Sequence, residues 1–438
     1  MSGTASDMPP IAPAETGGLA TMWRHKRVLA ASLVGTSVEF YDFYIYATAA
    51  SLVFGPIFFP ASSPSVQLIA AYASFAVAFF ARPLGAAIFG HYGDRIGRKS
   101  TLVASLMLMG GSTLAIAFLP TYEMMGWWAP LLLCVMRFGQ GFGLGGEWGG
   151  AALLAVENAP PGWRARFGMF PQLGAPVGFI FANGLFLLLG QMLTDAQFMA
   201  WGWRLPFLAS AILVILGLWI RLKLTETAEF ATASAQGQAV RLPLGEVMRH
   251  HLVPVIAGTF ATVACYAIFY ITTAFALGYG TVNLGIGREH FLLLQLGAIL
   301  FMAAGIILAG WWADVSTARL VLIAGCAATI PMGVVFGPLL GTATDLSIYA
   351  ALVLGLFVMG FVYGPLGAWL PSLFPVRLRY SGVSFAFNVG GILGGALAPI
   401  VAQSLVSLYG VGTSGLYMSA AAAISLIALV VAGNSRHG

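Results

Sequence analysis

The chain has 438 residues, of which 59% are hydrophobic and only 8% charged, and its mean hydropathy is +0.89. This composition excludes a soluble globular domain, and the net charge of +5 is too sparse for a nucleic-acid surface. Three cysteines without metal-ligand spacing, together with the lack of a nucleophile motif or sizeable polar domain, argue against a metal centre, a cofactor or an enzyme.

In chain order, Met1–Met22 is polar and rich in Ala, Pro and Gly. It lacks the charged start and short apolar core of a cleaved signal peptide, so residues 1–27 are expected to form a disordered cytoplasmic arm. A helix crossing the hydrocarbon core needs about 20 mainly apolar residues. Cutting at charged, Pro and turn-rich points gives twelve spans, at about 28–53, 66–92, 101–119, 128–157, 165–191, 204–223, 252–279, 290–313, 319–340, 347–373, 379–408 and 414–433. Runs such as Phe167–Thr194 and Leu252–Gly287 carry no charge. In lipid they must be helices, because barrel strands would alternate polar and apolar residues. The expected fold class is therefore an all-α membrane protein. With both termini cytoplasmic, all but four of the twenty Lys and Arg residues fall in inner loops. The exceptions are Arg204 and Arg288 outside and Arg82 and Arg137 within spans, which is the positive-inside bias of a correct topology.

The longest loop, residues 225–251, divides the chain into six spans at 28–224 and six at 252–438. Gly90-His-Tyr-Gly-Asp94 is echoed by Gly310-Trp-Trp-Ala-Asp314, an offset of 220 (90 to 310). Arg164-Ala-Arg166 is echoed by Arg377-Leu-Arg379, an offset of 213 (166 to 379). Matches at corresponding topological positions point to a duplicated unit. Glycines recur four apart in Gln140–Gly150 and Gly390–Gly395, making flat stripes that let helices approach closely or slide.

Charge at membrane depth survives only beside a partner or a water-filled cavity. All five such residues, Glu39, Asp42, Arg82, Arg137 and Glu147, lie in the first third of the chain. Glu39 and Asp42 are three apart and project from neighbouring positions on one helix face. Two nearby acids cannot both ionise cheaply, which suits proton carriage; no histidine lies at membrane depth to do it instead. Arg82 and Arg137 offer forks that match a carboxylate solute. The competing reading locks them in ion pairs with Glu39, Asp42 or Glu147, and protonating the acid would then free the arginine. Glu147 suits helix-to-helix hydrogen bonding or a proton relay. The second half supplies uncharged polar groups, Tyr266, Tyr270, Thr273, Gln295, Tyr363 and Asn388; Tyr41, Gln140 and Gln172 join them from the first half as candidate solute contacts.

Gly90-His-Tyr-Gly-Asp94-Arg95-Ile-Gly97-Arg98-Lys99 resembles the loop signature of the major facilitator superfamily. Val38-Glu39-Phe-Tyr41-Asp42-Phe43, Phe80-Ala-Arg82-Pro83, Arg137-Phe-Gly-Gln140-Gly141, Gly145-Gly-Glu147-Trp-Gly-Gly150 and Trp201-Gly-Trp203-Arg204 are similar to its metabolite:proton symporter branch, including bacterial shikimate transport. The resemblance implies two pseudo-symmetric six-helix bundles with a central site open alternately to each side. It implies a bacterial inner-membrane protein that functions as a monomer and takes up a small organic acid with a proton as coupling ion. Shikimate is expected first, with a di- or tricarboxylate or betaine as alternatives. It also implies a cytoplasmic gate of Gly90, Asp94, Arg95, Gly97, Arg98, Lys99, Glu157 and Arg166, in which Asp94 could cap the eleventh helix. The loop Asp314-Val-Ser-Thr-Ala-Arg319 departs from the pattern by lacking a basic, glycine-containing run, which weakens any case for matching latches. No long C-terminal coiled coil of the osmosensing kind follows the last span.

Overall fold

The computed structural model describes residues 22–60, 63–96, 98–145, 147–222, 243–375 and 378–433, without the side chains of 27, 28, 90, 91, 93–102, 154, 220–222 and 243. The expected N-terminal arm and most of the expected linker lie outside the described residues.

Among the described residues there is no strand, and twelve helical spans follow one another. They are α1 (Lys26–Ala49, continuing to Phe58), α2 (Pro64–Ile96), α3 (Arg98–Ile116), α4 (Trp128–Leu144, resuming as Glu147–Glu157), α5 (Arg164–Met192) and α6 (Leu205–Leu222). The second set is α7 (Leu252–Tyr270, continuing to Val282), α8 (Arg288–Val315), α9 (Ala318–Gly341), α10 (Asp345–Tyr363, then Leu366–Ser372), α11 (Arg379–Gly391, continuing to Tyr409) and α12 (Leu416–Val431). Nine stretches among the described residues are long and apolar enough to span a bilayer by themselves; α1, α3 and α4 are not among them. Their place in the bundle comes from packing: α1 lies along α5, and α4 packs against both α2 and α3.

The two sets use the same crossings. In the first, α2 and α4 touch backbone to backbone, so a Cβ at Gly141 would overlap the Ala78 carbonyl oxygen. In the second, α8 and α10 do the same, and a Cβ at Gly305 would overlap the Phe357 carbonyl oxygen. The glycine stripe in α11 likewise meets α7, with Gly390 against Thr262 and Gly394 against Val263. Small residues at a crossing replace the missing hydrophobic driving force with close backbone contact.

Three spans carry a π-helical turn, at Ala50–Phe54, Ile271–Phe275 and Ile392–Ala396. The first two are 221 positions apart (50 to 271), matching the repeat offset. Such a turn frees carbonyls that must find other donors. Gln295 Nε2 donates to the Thr272 and Thr273 carbonyls at 3.2 and 2.9 Å. Ser51 Oγ and Tyr72 OH both donate to the Ala274 carbonyl, at 3.0 and 2.7 Å, which ties α1 and α2 to α7. Arginine does the same at helix ends. Arg204 Nη1 donates to the Ala117 and Leu119 carbonyls just past α3, and Arg319 to Leu429 and Val430 in the last turn of α12. Lone basic residues thus complete the carbonyls a helix end leaves open.

Candidate functional site

Between the two sets lies a chamber with about 600 Å³ of empty space, part of it open to solvent. Glu39, Phe40 and Tyr44 of α1, Arg82 of α2, Leu144 and Trp148 of α4 and Ala175 of α5 line one side. Cys265, Tyr266, Phe269 and Tyr270 of α7, Met359 and Tyr363 of α10, and Phe387 and Asn388 of α11 line the other.

The first set contributes the charge. Arg82 is 6% exposed and makes no ion pair or hydrogen bond with a described residue. Its guanidinium carbon lies 4.2 Å from the Phe43 ring centroid and 4.8 Å from that of Phe79. Aromatic faces hold a cation in place without neutralising it, so the fork stays available to an anion. The second set contributes surface and hydroxyls: Tyr266 OH and Tyr363 OH are buried and make no hydrogen bond of good geometry with a described residue, although the Trp148 side chain lies beside Tyr363 OH.

Arg137 lies outside the chamber. It is fully buried, donating from Nε to the Phe75 carbonyl at 3.3 Å and from Nη1 to Gln140 Oε1, with the Tyr46 and Phe43 centroids 4.1 and 4.2 Å away. Gln140 Nε2 in turn donates to the Asp42 carbonyl and to Thr113 Oγ1, both at 2.9 Å. Asp42 is also fully buried and away from the chamber. Neither of its carboxylate oxygens makes a hydrogen bond of good geometry with a described residue, although the hydroxyls of Ser210 and Thr113 lie beside it.

The α1 acids therefore separate, against the expectation of a shared face. Glu39 lines the chamber, whereas Asp42 points among α3, α4 and α6, and the acid whose field reaches it is Glu147. A rotation of three residues leaves a helical side chain about 60° off, enough to cross the boundary between chamber and bundle interior. Glu147 accepts from Ser105 Oγ at 2.7 Å. Among the described residues no ion pair joins Arg82 or Arg137 to Glu39, Asp42 or Glu147; aromatic rings hold the guanidiniums instead.

Of the eleven expected solute contacts, Arg82, Tyr266, Tyr270, Tyr363 and Asn388 line the chamber. The other six do not; Thr273 Oγ1 donates back to the Phe269 carbonyl at 2.6 Å. Arg137 and Gln140 belong to the buried cluster, Tyr41 OH donates to the Pro206 carbonyl at 2.9 Å, and Gln295 serves the π-turn. Gln172 accepts from Trp148 Nε1 at 3.1 Å and donates to the Tyr363 carbonyl at 2.9 Å, closing the chamber floor. The aromatic wall, with Trp148 stacked 3.6 Å from Phe387, was missed. In spans this apolar, rings facing a cavity look like rings packed in a core.

Both ends are closed by contacts between the sets. At the end bearing the charged loops, Asp314 accepts the first-turn amides of α5, Ala165 N at 2.8 Å and Arg166 N at 3.0 Å, and pairs with Arg166 Nε at 3.4 Å. A carboxylate on a helix N-terminus satisfies open amides and meets the positive end of the dipole. Glu157 pairs with Arg379 at 3.5 Å, and Asn388 Nδ2 donates to the Gly145 carbonyl at 2.6 Å. Sequence reasoning discounted the second-half loop for its lack of basic residues, yet Asp314 makes a latch with no such run, because helix amides do the work. Of the other expected gate residues, Gly97 and the side chains of Gly90, Asp94, Arg95, Arg98 and Lys99 lie outside the described parts, so the suggested Asp94 cap does too. At the opposite end, beside the Ser51 and Tyr72 bonds, Arg288 Nη2 pairs with Asp195 at 2.7 Å. Asp195 sits in a short helix (Asp195–Ala200) started by a Thr194–Gln197 capping box.

A twelve-helix bundle with a central chamber, bridged between two repeated sets at both ends, has the architecture of a membrane transporter. Comparison with known proteins makes this specific. Residues 28–241 match the family described as "Sugar (and other) transporter". The chain is 50% identical over 94% of its length to the inner membrane metabolite transport protein YhjE of Escherichia coli (strain K12), covering 94% of that protein. It is 37% identical to the shikimate transporter of the same organism, covering 90% of each, and 30% identical to its proline/betaine transporter, covering 92% of this chain and 82% of that one. Among solved structures, the partially occluded inward-open xylose transporter XylE from E. coli matches with a TM-score of 0.73 at 16% identity, over 94% of this chain and 98% of that one. The chain belongs to the major facilitator superfamily and is a multi-pass inner-membrane metabolite transporter, not an enzyme.

Proposed function

We propose that the chain takes up a small organic acid together with a proton, with both termini and the Asp314 latch at the cytoplasmic face. The observation that carries this is Arg82. It is a cation in the chamber with no acid paired to it among the described residues, surrounded by rings and two buried hydroxyls. A carboxylate would take the guanidinium fork, the ring of a cyclic solute would lie against Tyr44, Phe269 and Phe387, and its hydroxyls would meet Tyr266 and Tyr363. One chamber arginine suits a single carboxylate better than two or three, so shikimate or a similar hydroxy-acid comes before citrate or 2-oxoglutarate. Betaine is the second reading. Its quaternary ammonium would suit the aromatic wall beside Glu39, and relatives at 30% identity are named as proline/betaine transporters.

The proton carrier in this reading is Asp42. An acid sealed from water without a counter-charge is best accommodated when it carries a proton. Glu39, at the chamber, and Glu147, in the bundle interior, are the acids through which a proton would arrive or leave. The chain is expected to work as a monomer, since each copy contains a whole chamber.

The test is solute-driven proton uptake in proteoliposomes, screened against shikimate, citrate, 2-oxoglutarate and betaine. Shikimate should acidify the lumen, and Asp42→Asn should remove the roughly tenfold accumulation that one pH unit supports for one proton per solute. Accumulation unchanged in Asp42→Asn would exclude this residue as carrier. A response to betaine alone would replace the acid with a zwitterion.

A further inference from the structure

Asp42, Thr113, Arg137, Gln140 and Ser210 are each at most 1% exposed. Yet both carboxylate oxygens of Asp42, Ser210 Oγ and Arg137 Nη2 have no hydrogen-bond partner among the described residues. The Ser210 and Thr113 hydroxyls flank the Asp42 carboxylate, and Gln140 links Arg137 to the Asp42 carbonyl. These residues form a buried polar cluster inside the first six helices, the Asp42 compartment, and none of them lines the chamber.

Two rings lie between Arg137 and the chamber residue Tyr270: Phe75, at 4.7 Å from the guanidinium carbon and 5.2 Å from the Tyr270 centroid, and Phe43, which faces Arg82 as well. The guanidinium carbons of Arg82, which lines the chamber, and Arg137, which does not, each lie 4.2 Å from the Phe43 ring centroid. Its ring also packs on Tyr270, a chamber residue, with centroids 6.1 Å apart, and on Phe75 and Phe79 at 5.1 and 5.2 Å. It follows Asp42 directly in α1, so any turn of this segment moves both.

We infer that the Phe43 ring is the partition between the solute chamber and the Asp42 compartment. Two guanidiniums hold it by attraction to its face. A carboxylate bound to Arg82 would engage the fork from the chamber side and loosen one of those two holds, which gives the solute a way to influence access to Asp42. The inference rests on the reading of Asp42 as proton carrier for its purpose, but the partition itself concerns access and is measured separately.

The experiment uses the full chain with Cys134, Cys265 and Cys326 replaced by Ser and a reporter thiol introduced by Ser210→Cys. Labelling by a small hydrophilic methanethiosulfonate is followed in proteoliposomes. With Phe43 intact the thiol should react slowly. Phe43→Ala should raise the rate about tenfold or more, since burial is what keeps a thiol inert, and Phe43→Leu, which restores bulk, should return it close to the intact rate. Thermal unfolding is recorded for each variant, and Phe43→Val, leaving a smaller gap than Ala, should fall between the two. Equal rates with Phe, Val and Ala, or fast labelling with Phe43 in place, would overturn the partition. The labelling result does not depend on the proton assay of Asp42→Asn, so failure of one reading is distinguishable from failure of the other.

Discussion

The two six-helix sets share a scaffold but differ in chemistry. The α2–α4 and α8–α10 crossings rest on glycines in both, and α1 and α7 carry their π-turns at matching positions. The five membrane-depth charges, however, are all in the first set, while the second presents Tyr266, Phe269, Tyr270, Tyr363, Phe387 and Asn388 to the chamber. Backbone geometry can be duplicated because close packing depends only on small residues at a crossing. Charge need not be, because one buried cation serves an anionic solute and each further one adds desolvation cost. In the proposed reading, one half recognises charge and the other shape.

Four changes would sharpen or break this contrast. The largest effect is expected from Arg82→Gln, which should lower solute uptake about 100-fold or more, as when one member of a buried charge pair is removed. Arg82→Lys should recover only part of it, because a point charge replaces a fork. Uptake assays on both variants decide it, and a mild loss would shift recognition to the second set. Next, Gly141→Ala and Gly305→Ala should each cost about 1–3 kcal/mol through forced separation of packed backbones. Thermal unfolding in detergent should show comparable losses; a strong difference would mean the scaffold is less symmetric than it looks.

A smaller effect belongs to the latch. Asp314→Ala removes the carboxylate that caps α5 and should weaken closure at that end by about 1 kcal/mol. Spin-label distances across the end should lengthen in the apo population, whereas unchanged distances would leave Glu157–Arg379 as the principal closure. The smallest loss is expected for Tyr266→Phe and Tyr363→Phe. Each removes only a hydroxyl and should weaken solute binding by about 0.5–1.5 kcal/mol if that hydroxyl meets the solute. A gain in stability without loss of affinity would mark them as wall.

Much of the bundle was legible. Span positions followed from apolar runs and punctuation, but the latch role of Asp314 did not, because its loop was discounted for lacking basic residues. Its actual partners are the backbone amides of α5 and Arg166. Arg82, Tyr266, Tyr270, Tyr363 and Asn388 were placed at the chamber because polar groups in lipid-length helices have few other reasons to be there. Gln295 and Gln172 followed the same logic and went elsewhere, one to π-turn carbonyls and the other to the chamber floor. Sequence spacing does not reveal which backbone carbonyls a helix will leave open.

Apolar length, loop charge and the scarcity of buried ionisable groups were written in the order of residues, because each is a property of a segment in its solvent. What the tertiary structure decided was which neighbours those groups face. Glu39 and Asp42 share a helix and almost a face, yet one opens on the chamber and the other is fully buried away from it. That division depends on where α3, α4 and α6 press against α1, and no single segment contains it.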